Sequence, residues 1–195
     1  KSKIILYHRV RKKCGVKIRN KWLIPTIQPV EYEEKKFLIH PYLLGICIGD
    51  GNLCNGGINI SIPDFEIETV ERISKLLTEG YELKESKYGT CPIYSIIKEK
   101  NNISVKNIYN REIKRLGLNV HGNFKFIPEE YKIASIEQRK ELLMGLMDSD
   151  GCITKTGNKI FYSTNSKQLA EDVCELVFSL GGVAKVRQYK RKNNK

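Results

Sequence analysis

The sequence predicts an α+β fold built from two similar units. The first observation is a repeated apolar phrase, which reads LLGICIGDG from Leu43 to Gly51 and LMGLMDSDG from Leu143 to Gly151. The second observation concerns the residues that follow each phrase. Segments in which apolar and polar residues alternate are interleaved there with segments whose apolar residues recur at helical spacing. Each unit reads helix–strand–strand–helix–strand, and a repetition of this size indicates an internal structural repeat.

The segment ahead of the first phrase is basic and rich in β-type runs. Ile4 to Tyr7 and Val16 to Ile18 predict short strands. Pro25 and Pro29 argue against a helix before residue 40. We assign residues 1–38 to an N-terminal segment, either a linker or the end of a domain that lies upstream.

The first unit covers residues 39–134 and begins with a helix. Pro41 suits the first helical turn, and the run Gly49-Asp50-Gly51 ends this helix. We then expect a strand, a helix capped by Asp64, two further strands and a third helix, over residues 57–63, 64–80, 81–86, 91–100 and 104–116 respectively.

The second unit covers residues 135–195 and again begins with a motif helix. Ser135 is the predicted cap of its motif helix, which Gly151 ends. Two strands, a helix and a basic strand follow, over residues 152–155, 159–163, 166–182 and 183–192. Compared with the first unit, a closing strand and helix are missing, so the second unit is expected to be incomplete.

The charge of the chain points to a polyanionic partner. Lys and Arg total 34 against 22 Asp and Glu, which gives a net charge of +12. Nucleic acid is the first candidate, because neutralising its phosphates releases counterions. No apolar stretch is long enough to cross a membrane and no targeting signal is found. We therefore expect an intracellular protein, cytoplasmic or nucleoid-associated.

The two motif helices are expected to pack against each other. Gly45 and Gly49 share one helix face, as do Gly145 and Ser149, and small side chains there permit close approach. Asp50 and Asp150 would then converge at two helix C-termini, where negative charge is unfavourable. A hard divalent cation, Mg²⁺ or Mn²⁺, would relieve this repulsion and favours carboxylate, carbonyl and phosphate oxygens. Such a site suits metal-assisted phosphodiester hydrolysis.

With these residues in view, the chain resembles the LAGLIDADG (DOD-type) homing endonucleases, in the form found inside inteins. Besides the two motifs, the stretch FKFIPEEY from Phe124 to Tyr131 is similar to the Lys-x-Ile-Pro block of those enzymes. The resemblance implies two pseudo-symmetric αββαββα units with paired motif helices and a saddle of antiparallel sheets. It also implies that Asp50 and Asp150 are catalytic metal ligands assisted by the carbonyls of Gly49 and Ser149. Lys125 would be the catalytic lysine.

The strands of such a saddle would carry the DNA contacts on alternating residues. The candidates are polar and basic side chains of both units: Asn59, Ser61, Lys159, Tyr162, Thr164, Arg187, Tyr189 and Arg191. The implied function is a site-specific double-strand DNA endonuclease of a mobile intein. Its partners would be duplex DNA with a long recognition site and a host extein protein, and the chain would act as a monomer.

Two alternatives remain open at the level of sequence. One is a nucleic-acid-binding module without cleavage, such as an RNA maturase of the same family. The other is a decayed intein remnant, which the incomplete second unit favours.

Overall fold

A computed structural model of the chain describes residues 2–6, 27–54, 57–88, 91–99, 107–157 and 159–189. The helices in these ranges are α1 (Pro41–Gly49), α2 (Ile67–Leu76), α3 (Ile108–Arg115), α4 (Glu129–Lys132), α5 (Ile136–Asp150) and α6 (Lys167–Ser179). The strands are β1 (Ser2–Leu6), β2 (Gly51–Asn52), β3 (Asn59–Ser61), β4 (Tyr81–Tyr88), β5 (Cys91–Lys98), β6 (Gly151–Ile153), β7 (Ile160–Thr164) and β8 (Ala184–Gln188).

These strands form two antiparallel sheets, one for each motif helix. The first sheet has the order β2-β3-β5-β4 and follows α1, whereas the second has the order β6-β7-β1-β8 and follows α5. Both motif helices run directly into the first strand of their own sheet. The predicted α+β class with two similar units is therefore confirmed.

Local signals define both motif helices. Pro41 occupies the first turn of α1, and the His40 side chain accepts a hydrogen bond from the backbone N–H of Tyr42. At the start of α5, Ser135 and Gln138 form a reciprocal capping box, so the predicted Ser135 cap is confirmed. Residues 41–48 of α1 are all buried, which explains why its apolar residues follow no single face.

The other long helices are amphipathic and turn one apolar stripe toward the core. Ile73 of α2 and Ile113 of α3 are buried in the first unit. Val173 and Leu176 of α6 are buried in the second unit. Each sheet is thus covered by helices on its inner face.

Three details differ from the sequence prediction. Asp64 begins a 3₁₀ turn, Asp64–Glu66, and α2 starts only at Ile67, so Asp64 is not the cap of that helix. The predicted strand at 57–63 shortens to Asn59–Ser61. Ser2–Leu6 is a strand, as expected at Ile4, but it lies inside the second sheet rather than in a separate linker. The strand expected at Val16 to Ile18 lies outside the described residues.

A buried arginine fixes the segment ahead of α1 to the second unit. Arg139 of α5 is fully buried and donates hydrogen bonds to the carbonyls of Ala134, Ser179 and Val30. The N–H of Val30 donates in turn to the Ser179 carbonyl over 2.9 Å. These bonds satisfy the buried guanidinium with backbone oxygens, so the segment around Val30 belongs to the packed structure.

Within the described ranges, no helix combines the length and apolar character that a membrane crossing requires.

Candidate active site

Close packing of α1 against α5 brings the two motifs together. A Cβ atom on Gly45 would stand 2.5 Å from the carbonyl oxygen of Leu142, and one on Gly145 would stand 2.1 Å from that of Tyr42. A Cβ on Gly49 would overlap the hydroxyl of Ser149 at 1.9 Å. The expected glycine contact between the motif helices is therefore present, with backbone against backbone.

This packing places the two motif carboxylates near each other. Asp50 is the C-cap of α1, and Asp150 is the last residue of α5. Burial raises the pKa of Asp50 from 3.8 to about 6, and the negative charges of Asp150 and Glu66 add to this effect while Lys125 opposes it. The protein alone thus holds Asp50 in a place that disfavours its ionised form.

The raised pKa of Asp50 predicts a pH-dependent change in stability. Asp50 binds its proton more tightly in the folded than in the unfolded chain, so stability falls as pH rises from 3.8 to about 6. In metal-free buffer we expect Asp50→Asn to raise the melting temperature at pH values above this window and not below it. Thermal unfolding of both proteins across this range measures the difference. An equal shift at every pH would contradict the prediction.

Tyr162 of β7 adds a buried hydroxyl to the same region. The charges of Asp150 and Asp50 contribute, after burial, to raising its pKa well above the usual range. Among the described residues, the Tyr162 hydroxyl has no hydrogen-bond partner. A buried polar atom beside two carboxylates is suited to a water molecule or a metal-bound water.

Lys125 binds carbonyl oxygens at the C-terminal end of α1. Its Nζ donates to the carbonyl oxygens of Gly51 at 2.7 Å, Gly49 at 3.1 Å and Cys47 at 3.4 Å. Burial lowers the pKa of Lys125, against the opposing influence of Cys47, Asp150 and Asp50. Three carbonyl oxygens surround the ammonium group, so the charge of Lys125 offsets the negative helix end next to Asp50.

The second unit anchors the segment that carries Lys125. Ser166, the N-cap of α6, donates its hydroxyl proton to the Lys125 carbonyl over 2.6 Å. Asp172, which is buried, accepts from the backbone N–H of Ile127 over 2.8 Å. Sequence reasoning missed Ser166 and Asp172, because their partners lie about forty residues away along the chain. The only available signal was an Asp within the apolar stripe of a helix.

Removing the charge of Asp172 is expected to weaken the attachment of the segment that carries Lys125 to α6. Asp172→Asn keeps the side-chain shape but weakens the bonds from Ile127 and Lys132, and we expect the free energy of unfolding to fall by about 1–3 kcal/mol. Glu175→Gln is the matched control, since Glu175 binds the same Lys132 but is exposed, and its loss should cost less than about 1 kcal/mol. Urea unfolding measures both variants, and equal losses would contradict the account.

A small pocket lies between the two units beside Asp150. Its volume is about 130 Å³, and its lining includes Gly49, Lys125, Asp150, Ser163 and Asn165. This space is large enough for several water molecules, given about 30 Å³ for each in the liquid. Gly49 and Asp150 therefore border a common cavity, and Ser149 lies beside Gly49 across the helix contact.

The predicted DNA contacts differ in which face of their sheet they occupy. Asn59 and Ser61 lie on the outer row of the first sheet, where Asn59 accepts a hydrogen bond from Ser95 over 2.6 Å. In the second unit Lys159, Arg187 and Tyr189 are exposed.

Two of the predicted DNA contacts lie on the buried face of β7, and one of them, Thr164, lines the pocket that Asp150 borders. Tyr162 and Thr164 are buried, because side chains alternate along β7 and the outer positions are Phe161 and Ser163. Thr164 instead accepts a hydrogen bond from the N–H of Ser166. Arg191 lies outside the described residues.

Comparison with known proteins adds independent findings. Residues 137–195 match the family described as a LAGLIDADG-like domain. The chain is 31% identical over 158 residues to a replicative DNA helicase DnaB of Mycobacterium intracellulare; the match covers 81% of the chain but only 22% of the helicase. A solved mesophilic variant of the homing endonuclease I-DmoI is similar over 73% of this chain and 76% of that one, with 17% identity and a TM-score of 0.47.

Proposed function

Since residues 137–195 identify this chain as a member of the LAGLIDADG family, we propose that it is a site-specific, double-strand DNA endonuclease carried by an intein. The observation that carries the proposal is the packing of α1 on α5, which brings Asp50 and Asp150 near enough for the charge of Asp150 to contribute to the raised pKa of Asp50. An endonuclease of duplex DNA needs an acidic centre within reach of both strands, and a pair of matching helices supplies one carboxylate for each.

The two motif aspartates and the carbonyls beside them fit a divalent cation. Asp50 and Asp150 would hold Mg²⁺ or Mn²⁺ together with the carbonyls of Gly49 and Ser149. The described residues contain no cluster of three or more acidic, His or Cys side chains, so substrate phosphate and water would complete the oxygen ligands. The orphaned hydroxyl of Tyr162 supports a bound water there. When bound, the cation supplies Lewis-acid polarisation of the phosphodiester and a more acidic water.

The chain's own residues then position the substrate. The outer rows of both sheets offer polar and basic side chains to a duplex, among them Ser61, Lys159 and Arg187. The ammonium group of Lys125 holds the end of α1 and reduces the negative potential at Asp50, so that a phosphate can approach. In this proposal Lys125 is a positioning residue for the carboxylate pair.

The similarity to the helicase supports the intein setting. This chain matches only 22% of that protein's length, which is the relation expected between a host protein and an element inserted in it. The partners of the proposed element are duplex DNA and the host extein protein. The chain would act as a monomer, because it contributes both carboxylates itself.

A nicking assay tests the proposal without knowledge of the target. Supercoiled plasmids that carry a library of candidate sites are incubated with the chain and Mg²⁺, with EDTA as the control. Nicks or double-strand cuts that require the cation support the endonuclease. Binding that prefers structured RNA, without cuts in DNA, would favour the maturase alternative, and absence of binding to either would favour the remnant.

A further inference from the structure

The pocket beside Asp150 carries two hydrogen-bonding side chains that the proposed function has not used. Ser163 lies in β7 and Asn165 follows the end of that strand, and both residues line the pocket. Ser163 is half-buried and Asn165 is exposed. Within the described part of the chain, neither side chain forms a hydrogen bond to another protein group. A hydroxyl and an amide are therefore available to a ligand that enters the pocket.

The backbone that carries these two side chains is fixed by its neighbours. Thr164 is buried, and its hydroxyl oxygen accepts a hydrogen bond from the N–H of Ser166 over 3.1 Å. Ser166 is also buried and donates its hydroxyl proton to the carbonyl of Lys125 over 2.6 Å. Lys125 lines the same pocket from the side of the first unit. The two sides of the pocket are thus joined by a hydrogen bond, and the two donors are positioned before a ligand binds.

The charges around the pocket indicate which class of ligand it suits. The carboxylate of Asp150 borders the pocket and belongs to the proposed cation site. The ammonium group of Lys125 supplies positive charge, although three carbonyl oxygens surround it. Serine hydroxyls and asparagine amides are common donors to phosphate oxygens in complexes with DNA. The pocket therefore suits a phosphodiester group, whose oxygens can contact the cation and both donors at once.

The first unit has an equivalent of this strand. The glycine after each motif aspartate pairs with the strand that follows it, Gly51 with Ile60 and Gly151 with Tyr162. Ile60 and Tyr162 are buried, and so are the residues two positions further along the chain in each unit. β3 and β7 therefore correspond residue by residue, and the next α-helix of each unit, α2 or α6, follows them.

This correspondence reveals a difference between the two units. Ser61 matches Ser163, so both units carry a hydroxyl at this position. Pro63 matches Asn165, and the proline offers neither a side-chain nor a backbone donor. A phosphate on the side of the second unit can thus meet two neutral donors, whereas a phosphate on the side of the first unit meets only the serine.

We propose that Ser163 and Asn165 bind the scissile phosphate of one DNA strand in the pocket beside Asp150. This inference rests on the proposed function, in which each motif aspartate serves one strand. Ser61 binds the scissile phosphate of the other strand, without an amide beside it. The two strands are therefore held unequally, and the strand beside Asp150 is cut first.

Strand-resolved cleavage tests the inference. A duplex site recovered from the plasmid library is labelled on either strand and cut in a single turnover. We expect Ser163→Ala and Asn165→Ala each to slow cleavage of the strand that the parent chain cuts first by about tenfold, the loss of one hydrogen bond to a charged group. Ser61→Ala should slow the other strand. The control is Ser74→Ala, on the exposed side of α2, which should slow neither strand.

Binding gives a second readout that does not depend on cleavage. A methylphosphonate replaces one charged oxygen of the scissile phosphate by a methyl group, and Ca²⁺ serves as a cation that accepts the same oxygen ligands. On the strand cut first, we expect this replacement to weaken binding about tenfold more in the parent chain than in the double variant Ser163→Ala/Asn165→Ala. On the other strand, it should weaken binding of both proteins equally.

The outcomes distinguish this inference from the proposed function. A parent chain that cuts no site in the library would overturn both. If the parent chain cuts both strands, but Ser163→Ala and Asn165→Ala slow both strands equally, slow neither, or slow only the strand cut second, the inference is wrong and the endonuclease stands. An equal methylphosphonate effect on the first-cut strand in the parent chain and the double variant would lead to the same conclusion.

Discussion

Replacing Asp50 or Asp150 by Asn is expected to lower the rate of duplex cleavage by about 10³-fold, in a chain that still binds DNA. In the proposed function, each substitution removes one charged oxygen ligand of the cation and leaves the shape of the side chain. Duplex affinity should stay the same or increase, because a negative charge next to the phosphates has been removed. Cleavage of the plasmid library and gel-shift titration measure the two quantities separately.

The second motif offers a control for this experiment. Asp148 lies two residues before Asp150 but accepts a hydrogen bond from the Tyr42 hydroxyl over 2.8 Å and borders a different pocket. The Asp148→Asn variant should therefore cleave duplex DNA at close to the rate of the parent chain. If Asp148→Asn were as impaired as Asp150→Asn, the assignment of the catalytic pair would be wrong.

Gly145→Ala is expected to cause the largest loss of stability of any single methyl addition to the motif helices. The new Cβ would stand 2.1 Å from the carbonyl oxygen of Tyr42, and this neighbour is backbone within a buried helix. The helices must separate, so the free energy of unfolding should fall by at least about 2 kcal/mol. The same separation moves the carboxylates apart, and cleavage should decline with it.

Gly122→Ala is the matched control for helix separation. A Cβ on Gly122 has no neighbour within 4 Å, and the backbone there does not adopt a positive φ. We expect a change within about 0.5 kcal/mol. Urea unfolding of both variants decides the question, and a Gly145→Ala protein as stable as Gly122→Ala would refute the backbone contact between α1 and α5.

The features that sequence predicted best are those with local causes. Pro41 and Ser135 mark the starts of the motif helices through contacts within a few residues. Gly45 and Gly145 indicate the contact between the two helices, because only a small residue fits there. The repeat itself located Asp50 and Asp150. These features can be predicted without knowing which distant segments pack together.

The features that sequence missed depend on distant partners. Alternation along β7 defines two faces but not which one is covered, so the sequence did not indicate that the candidates Tyr162 and Thr164 are buried. The role of Asp172 requires knowing that Ile127 packs against α6. β1 pairs with strands more than 150 residues further along the chain, and no local pattern near Ile4 specifies those partners.

Binding of Mn²⁺ tests the central claim, that the two motif aspartates form one cation site. Electron paramagnetic resonance counts bound Mn²⁺ on the parent chain, Asp50→Asn and Asp150→Asn, each with a short random-sequence duplex present. The account predicts that the parent chain binds Mn²⁺ and that each single substitution weakens this binding by about tenfold or more. Binding of Mn²⁺ with the same affinity by either variant, or none by the parent chain, would contradict a site shared by Asp50 and Asp150.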